Sequence, residues 1–295
     1  MHQNPHNKHI PVLLAEILEY VDPKEGERYL DVTAGYGGHA EAILSRTKNY
    51  TGSVLVDRDA EAIKELSRKF KQSNIVLVHQ DYLGACSELL KNNQQFDIIV
   101  ADLGVSSPHL NEVNRGFSFI DDGPLDMRMD QNQEITAWDV LNKSSEADLA
   151  DLLWHYGEEP KARQIARLIA KERPINTTTE LAAIAKQVWR SYSRSHPATR
   201  TFQAIRIAVN DELGQLEKAL PIWLKLLSPG GRLAVISFHS LEDRVVKKFM
   251  VGESGDRYDA SLRLPIKHPL LPGPLELVHN PRARSAKLRV AVKQK

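Results

Sequence analysis

The sequence has a single cysteine, Cys86, and no apolar run long enough to cross a membrane. One cysteine excludes an internal disulfide and a metal site built from thiolates. The first residues also lack the charged segment and apolar run of a secretory signal. We therefore expect a cytoplasmic protein, in a reducing compartment where thiols stay free.

Net charge is also nearly absent, at +1 for 295 residues, but the charges are unevenly distributed. Residues 161–206 contain ten lysines and arginines against two acidic residues, and residues 244–295 contain twelve against four, so each segment carries +8. The rest of the chain carries −15. Basic surface confined to two segments suits a polyanion, although two solvated helix faces would explain the charge equally well.

Strand-like and helical patterns alternate in the first hundred residues. The strand-like runs are 28–33, 53–57, 75–79 and 96–102, and the helical stretches between them are 39–47, 60–70 and 84–91. This alternation predicts an α/β fold with a doubly wound, Rossmann-like parallel sheet. In such sheets ligands bind beyond the carboxyl ends of the strands.

The alternation stops after Asp102 and returns only at a strand-like run at 232–238, so a helical insertion is expected between them. We divide the chain into a main domain at 1–115 and 200–295 and an inserted helical domain at 116–199. A helix from Arg200 onwards should kink or end at Pro221. The last segment should close with a strand pair at 275–278 and 288–292.

The most informative segment is a glycine-rich turn between a strand and a helix, at residues 30–39. It reads Leu-Asp-Val-Thr-Ala-Gly-Tyr-Gly-Gly-His, and such a turn brings backbone N–H groups at a helix start close to a ligand. A dinucleotide fingerprint would read G-x-G-x-x-G, but the third glycine is missing here. S-adenosylmethionine therefore fits better than a nicotinamide cofactor, and a nicotinamide-dependent oxidoreductase is the alternative.

Acidic residues follow the next two strands. Asp57 stands twenty residues beyond Gly37, where a carboxylate can accept both hydroxyl hydrogens of a ribose. The alternative role for Asp57 is to cap the next helix, which Asp59 could do instead. Asp81 could accept from an adenine amine, and Tyr82 could stack on the adenine or pack in the core.

The segment from Ala101 to His109 leaves the fourth strand and is the expected acceptor site. It loosely resembles the Asp/Ser-Pro-Pro-aromatic segment of methyltransferases that modify exocyclic amines. Such an amine is a poor nucleophile, so acceptors from Asp102 or Ser106 should hold its N–H bonds. The alternative reading is a tight turn in which Ser107 caps a helix and Pro108 begins it. Cys86 lies mid-helix and is not expected to be a nucleophile.

Two phenylalanines and a histidine could each have a functional or a structural role. Phe117 and Phe119 could stack on a base or pack in the core, and His239 could face the acceptor or be structural. Ser240 and Asp243 have capping-box spacing. The carboxylates of 122–130 lack calcium-loop spacing, so no metal is assigned.

Proposed RNA contacts are Arg163, Arg167 and Lys171, which share a helical face, and the loops 196–200 and 280–285.

Together these segments closely resemble the MraW-type bacterial methyltransferases, which modify N4 of a cytidine in the decoding region of small-subunit ribosomal RNA. The resemblance covers nearly the whole chain. The segments that carry it are 9–14, 37–39, 56–59, 102–108, 115–119, 122–130, 198–203, 237–244 and 280–285.

The resemblance implies a class I methyltransferase sheet interrupted by a helical domain that helps to recognise RNA within the assembled subunit. The family's cofactor contacts fall on Gly37, Gly38, His39, Asp57, Tyr82, Asp102 and His109. The family commonly has Gln at the last of these positions. We assign the orientation of the amine to Asp102, Ser106, Ser107 and Pro108. A non-catalytic ribosome-assembly factor, an exocyclic amine of another RNA and a homodimer remain open.

Overall fold

The computed structural model describes residues 11–105, 112–189, 196–255 and 260–295. The chain forms two compact units, one of residues 1–104 with 213–295 and the other of residues 105–212. The division expected from the sequence lies at 115/116 and 199/200. The role of the insertion in substrate recognition remains a prediction.

The first unit is built on a sheet with seven strands in its described part. They are β1 Tyr29–Asp31, β2 Val54–Asp57, β3 Val76–His79, β4 Phe96–Asp102, β5 Leu227–Ser237, β6 Leu262–Arg263 and β7 Lys287–Lys293. Their order is β3-β2-β1-β4-β5-β7-β6. The first five strands are parallel, and β7 runs antiparallel between β5 and β6. The predicted α/β, Rossmann-like sheet is confirmed.

Helices cover both faces of this sheet, as a parallel sheet requires. They are α1 Leu14–Val21, α2 Gly38–Thr47, α3 Ala60–Lys69, α4 Tyr82–Lys91, α10 Glu212–Leu226, which starts at the boundary of the units, α11 Ser240–Gly252 and α12 Pro274–His279. One face packs around Trp223, Phe96 and Cys86, and the other around Tyr29 and Leu13. With both faces covered, the ends of the strands remain as the place for a ligand.

Two predictions for this part of the chain are wrong. Residues 275–278 lie in helix α12 rather than in a strand, because Gly273 caps the helix and Pro274 occupies its first turn, where a missing N–H costs nothing. Strand β7 pairs with β5 and β6 instead. The helix from Arg200 ends before Pro221, at Asp211 with φ +46°, and Pro221 lies inside α10.

The second unit is helical in its described part, which confirms a helical insertion. Its helices are α5 Ala137–Lys143, α6 Glu146–Gly157, α7 Ala162–Glu172, α8 Thr178–Val188 and α9 Thr199–Asn210, with a short 3₁₀ helix at Val113–Arg115. Phe117 is buried in the core of this unit. Phe119 stacks on His196 with ring centroids 4.6 Å apart and contacts Phe202 edge-on. These contacts support core packing for both phenylalanines.

The segment 115–130, part of the family resemblance, is held by buried polar contacts. The Arg115 guanidinium donates to the carbonyl oxygens of Arg128 and Met129 at 3.1 and 3.0 Å. Asn210 accepts from the Met129 N–H at 2.9 Å and donates to the Met127 carbonyl at 2.8 Å. Polar side chains that satisfy buried backbone groups give these residues a structural role.

Candidate cofactor site

The candidate site lies at the carboxyl edge of the parallel sheet, where three strands end in aspartate. Asp31 ends β1, Asp57 ends β2 and Asp102 ends β4. Because β1 pairs in parallel with both β2 and β4, these three ends lie side by side. The glycine-rich turn leaves the same edge and leads into α2.

The turn needs its glycines for packing within the protein. Gly37 caps α2 in the left-handed region with φ +72°, and a Cβ there would lie 2.8 Å from the Leu66 side chain. A Cβ on Gly38 would lie 2.5 Å from Cγ of Pro11. The first intrahelical bond runs from Glu41 N to Gly37 O, so the N–H groups of residues 38–40 precede it and can donate to a ligand.

Asp57 has both carboxylate oxygens fixed by the backbone. One oxygen accepts from the N–H of Gly35 at 2.7 Å, and the other accepts from the N–H of Asp59 at 2.8 Å. Asp59, not Asp57, caps α3 through the N–H of Glu61. Burial raises the pKa of Asp57, although these two backbone bonds oppose the shift. Each oxygen keeps acceptor capacity, which suits the two hydroxyls of a ribose.

Asp102 carries a buried oxygen that accepts no hydrogen bond within the described residues. This atom is Oδ1, while its backbone N–H donates to Thr33 Oγ1 at 2.6 Å and fixes the end of β4 against the turn after β1. Burial, followed by the charge of Glu242, raises the pKa of Asp102 to about 7. A buried acceptor without a donor is costly, and a ligand N–H would satisfy it.

His39, the second residue of α2, is oriented towards Asp102. Its Nε2 donates to the carbonyl oxygen of Val12 at 2.9 Å, so Nδ1 is the unprotonated nitrogen of the neutral ring. Nδ1 lies 3.8 Å from Oδ2 of Asp102. Burial lowers the pKa of His39, which keeps the ring neutral at physiological pH.

Sequence reasoning missed two buried acids at this edge. Asp31 accepts from the Tyr29 hydroxyl at 2.6 Å and from the Thr33 N–H, and burial raises its pKa to about 6. Glu242, on α11, is 2% exposed. The position of Asp31 at the end of a strand, directly before the glycine-rich turn, was a signal that could have found it.

The electrostatics of the edge favour a cationic ligand. Asp31, Asp57 and Asp102 form no ion pair with a lysine or arginine in the described part of the chain. Carboxylates that form no such ion pair repel a pyrophosphate and attract a sulfonium or an ammonium. The residues present therefore fit S-adenosylmethionine, and they argue against a dinucleotide.

The other predicted site residues have ordinary structural partners. Tyr82 packs edge-on against Trp223 with ring centroids 5.5 Å apart, and Asp81 caps α4 by accepting from the Gly84 N–H. Cys86 is buried in α4, and burial raises its pKa to about 12, as for an inert thiol. The cofactor role of Tyr82 remains a prediction.

Four predicted residues cannot be placed relative to this edge. Ser106, Ser107, Pro108 and His109 lie outside the described residues. Their assigned roles remain predictions.

The capping box predicted at the start of α11 begins one residue earlier than expected. His239 is the cap and accepts from the N–H of Glu242, whose carboxylate accepts from the N–H groups of Phe238 and His239. Ser240 and Asp243 therefore do not form the box. The structural reading of His239 is the one that these contacts support.

The basic segment 161–206 is less exposed than its composition suggests. Arg173 donates to the carbonyls of Leu141 and Ser144, and Arg206 pairs with Glu212 at 2.8 Å. The three residues predicted to contact RNA from one helical face, Arg163, Arg167 and Lys171, are exposed on α7. Arg167 lies 3.7 Å from Glu146, a loose pair that a phosphate can replace.

Comparison with known proteins decides the family. The profile of the MraW methylase family matches residues 6–294. The chain belongs to the MraW methylase family. A ribosomal RNA small subunit methyltransferase H from Synechocystis sp. is 47% identical over 97% of this chain and 93% of its own length. The enzyme of the same name from Halothermothrix orenii is 43% identical over 96% and 98%.

Solved structures resemble this MraW-family chain more distantly. An rRNA methylase from Streptococcus thermophilus has a TM-score of 0.41 at 12% identity and covers 96% of this chain and 93% of its own. The N-methyltransferase NodS from Bradyrhizobium japonicum has a TM-score of 0.45 at 10% identity, with 96% and 94% covered. The family assignment rests on the profile and the curated relatives. Across the residues described, no helix has the length and apolarity of a membrane span.

Proposed function

We propose that this chain transfers the methyl group of S-adenosylmethionine to N4 of a cytidine in the decoding region of small-subunit ribosomal RNA. The names of the curated relatives support methylation of small-subunit ribosomal RNA. The observation that carries the proposed chemistry is the buried Oδ1 of Asp102 at the end of β4, beside the start of α2, which has no hydrogen-bond partner among the described residues. The proposed activity also implies a cytoplasmic location, while the oligomeric state stays a prediction.

The cofactor would be held by the turn and the strand ends. Asp57 would accept from the ribose hydroxyls, and the N–H groups at the start of α2 would donate to the carboxylate of the methionine moiety. S-adenosylmethionine supplies a methyl group that is activated on a sulfonium. Asp31 and Asp102 would stabilise the positive charge of the bound cofactor.

Asp102 would orient the acceptor amine. A cytosine amine is a weak nucleophile because its lone pair is delocalised into the ring, and an acceptor for its N–H favours a tetrahedral nitrogen. The new N–C bond would form as the S–C bond breaks, and the amine would then lose a proton, which ionised Asp102 could accept. His39, held by its bond to the Val12 carbonyl, lies beside the Asp102 carboxylate, and Ser106, Ser107 and Pro108 would complete the contact with the amine.

Mass spectrometry of the RNA tests this function. Small ribosomal subunits from a strain lacking the gene would be incubated with the protein and isotopically labelled S-adenosylmethionine, and their RNA digested to nucleosides. We expect the label in N4-methylcytidine. Label in another nucleoside would refute the assignment to N4, and RNA without label would favour a non-catalytic assembly factor.

The insertion should contribute to RNA binding through α7. We expect Arg163→Ala with Arg167→Ala to weaken binding and to make it less dependent on salt, because removing two cations from the phosphates of a single strand reduces the slope of log K against log salt by about 1.4. Binding to deproteinised 16S ribosomal RNA, measured from low to high salt, checks this. Lys91→Ala with Lys225→Ala, two exposed lysines of the first unit, is the control. An unchanged slope in the arginine variant would remove α7 from the interface.

A further inference from the structure

We propose that the outward face of α11 binds the phosphodiester backbone of the RNA substrate. This face consists of Arg244, Lys247 and Lys248, which recur at helical spacing along Ser240–Gly252 and are all exposed. The inference rests on the proposed function and assigns part of the RNA contact to the first unit, next to the candidate site.

The acidic residues of α11 face away from this surface. Glu242 is buried and completes the cap of the helix. Asp243 is bound by Arg289, with Nε 2.6 Å from Oδ1, and by Lys287 at 3.4 Å. Every exposed charge within the helix is therefore positive. Lys247 and Lys248 form no ion pair with any described residue.

Helix α3 of the same unit has the opposite arrangement. Its exposed cations are neutralised by neighbours: Lys64 lies 3.3 Å from Glu61, Arg68 pairs with Glu65, and Lys69 lies 2.7 Å from Glu41. A solvated helix face ordinarily mixes both signs in this way. The exposed charges of α11, which are all positive, thus differ from the paired charges of α3.

The location of α11 suits a strand that enters the site. The helix follows β5 directly, and β5 ends beside β4, where Asp102 lies. At 1.5 Å per residue, Lys247 and Lys248 lie about 10–12 Å along the helix from its start. A nucleotide chain with one base at Asp102 that continues past α11 can therefore lay a phosphate further along the chain on these lysines.

Favourable interaction with the helix dipole is the structural alternative for the two lysines. Cations near a helix C-terminus stabilise the helix modestly. That role predicts a lower melting temperature when the lysines are removed, with no change in the salt dependence of RNA binding. A phosphate contact predicts an unchanged melting temperature and a weaker salt dependence of RNA binding.

The test compares Lys247→Ala/Lys248→Ala with Lys64→Ala/Arg68→Ala, which removes two paired cations from α3. Binding to deproteinised 16S ribosomal RNA is measured between 50 and 200 mM salt, with the melting temperature and S-adenosylhomocysteine affinity measured alongside. For the α11 variant we expect weaker RNA binding and a slope reduced by about 1.4, with the other two measurements unchanged. For the α3 variant we expect the wild-type slope.

A wild-type slope in the α11 variant, or an equal reduction in the α3 variant, would overturn the proposal. The proposed function is tested separately by methyl transfer with the wild-type protein. If that protein methylates the subunit while the α11 variant keeps the wild-type salt slope, the proposed function is supported and RNA binding by α11 is refuted. If it transfers no methyl group while the α11 slope falls, the RNA surface stands and the function does not.

Discussion

Asp102→Asn should reduce methyl transfer by about 100- to 1000-fold, the range for losing one group that stabilises a transition state. The amide nitrogen of Asn would present hydrogens to the amine where the carboxylate accepts them, and Asn cannot take up the proton that N4 loses. Single-turnover transfer to small subunits measures the rate. We expect RNA binding to be retained, since Asp102 contributes no positive charge to the interface. A wild-type rate in this variant would remove Asp102 from the mechanism.

The thermal stability of Asp102→Asn shows whether a slow rate comes from misfolding. The pKa of Asp102 rises from its ordinary value of 3.8 to about 7 on folding, so between these values the folded state binds more protons than the unfolded state. The free energy of unfolding therefore falls as pH rises through this interval. Asn removes the buried charge, and we expect its melting temperature at pH 8 to exceed that of the wild type. A slow but more stable variant excludes misfolding as the cause.

The pH dependence of the wild-type rate follows from the same group. Only the ionised carboxylate accepts from the amine with both oxygens, so the transfer rate at subsaturating S-adenosylmethionine should rise as pH increases through about 7, the pKa of Asp102 in the unliganded protein, and then level off. His39 stays neutral across this range because its pKa is lowered. Asp102→Asn should abolish this step.

Asp57→Ala should weaken the binding of S-adenosylhomocysteine by about 100-fold or more. Two hydrogen bonds from ribose hydroxyls to a charged acceptor contribute roughly 1.5–3 kcal/mol each. The N–H groups of Gly35 and Asp59 would also lose their acceptor, which loosens the turn. Isothermal titration calorimetry measures the affinity.

Two controls accompany Asp57→Ala. Asp81→Ala removes a carboxylate that caps α4, and we expect it to retain more affinity than Asp57→Ala. NADH should not bind the wild-type protein, because the strand-end carboxylates repel its pyrophosphate. Unchanged affinity in Asp57→Ala, or binding of NADH at the same site, would contradict the assignment of the ribose to Asp57.

The position of the candidate site follows from the sequence because it depends on local patterns. A strand followed by a glycine-rich turn, together with aspartates at strand ends, fixes the ligand edge of a parallel sheet wherever helices lie between the strands. Asp57 and Asp102 were identified on that basis. Asp59 was named as a possible cap, and it caps α3.

The other features of the candidate site depend on contacts between residues distant in sequence, which local patterns do not predict. Gly37 and Gly38 were expected to give room to a ligand, yet Leu66 and Pro11 already occupy the space next to them. The orientation of His39 depends on the Val12 carbonyl, and no spacing in the sequence encodes that bond. Composition also overestimated the basic surface, because Arg173 and Arg206 have partners inside the helical unit.

The central claim is that the methyl donor binds at the carboxyl edge of β1, β2 and β4, within reach of a nucleobase amine at Asp102. A crystal structure with S-adenosylhomocysteine tests it most directly. We predict ribose hydroxyls on the Asp57 carboxylate, the methionine carboxylate at the start of α2, and the sulfur facing Asp102. A ligand bound elsewhere, or side chains filling the space in front of Asp102, would contradict the account.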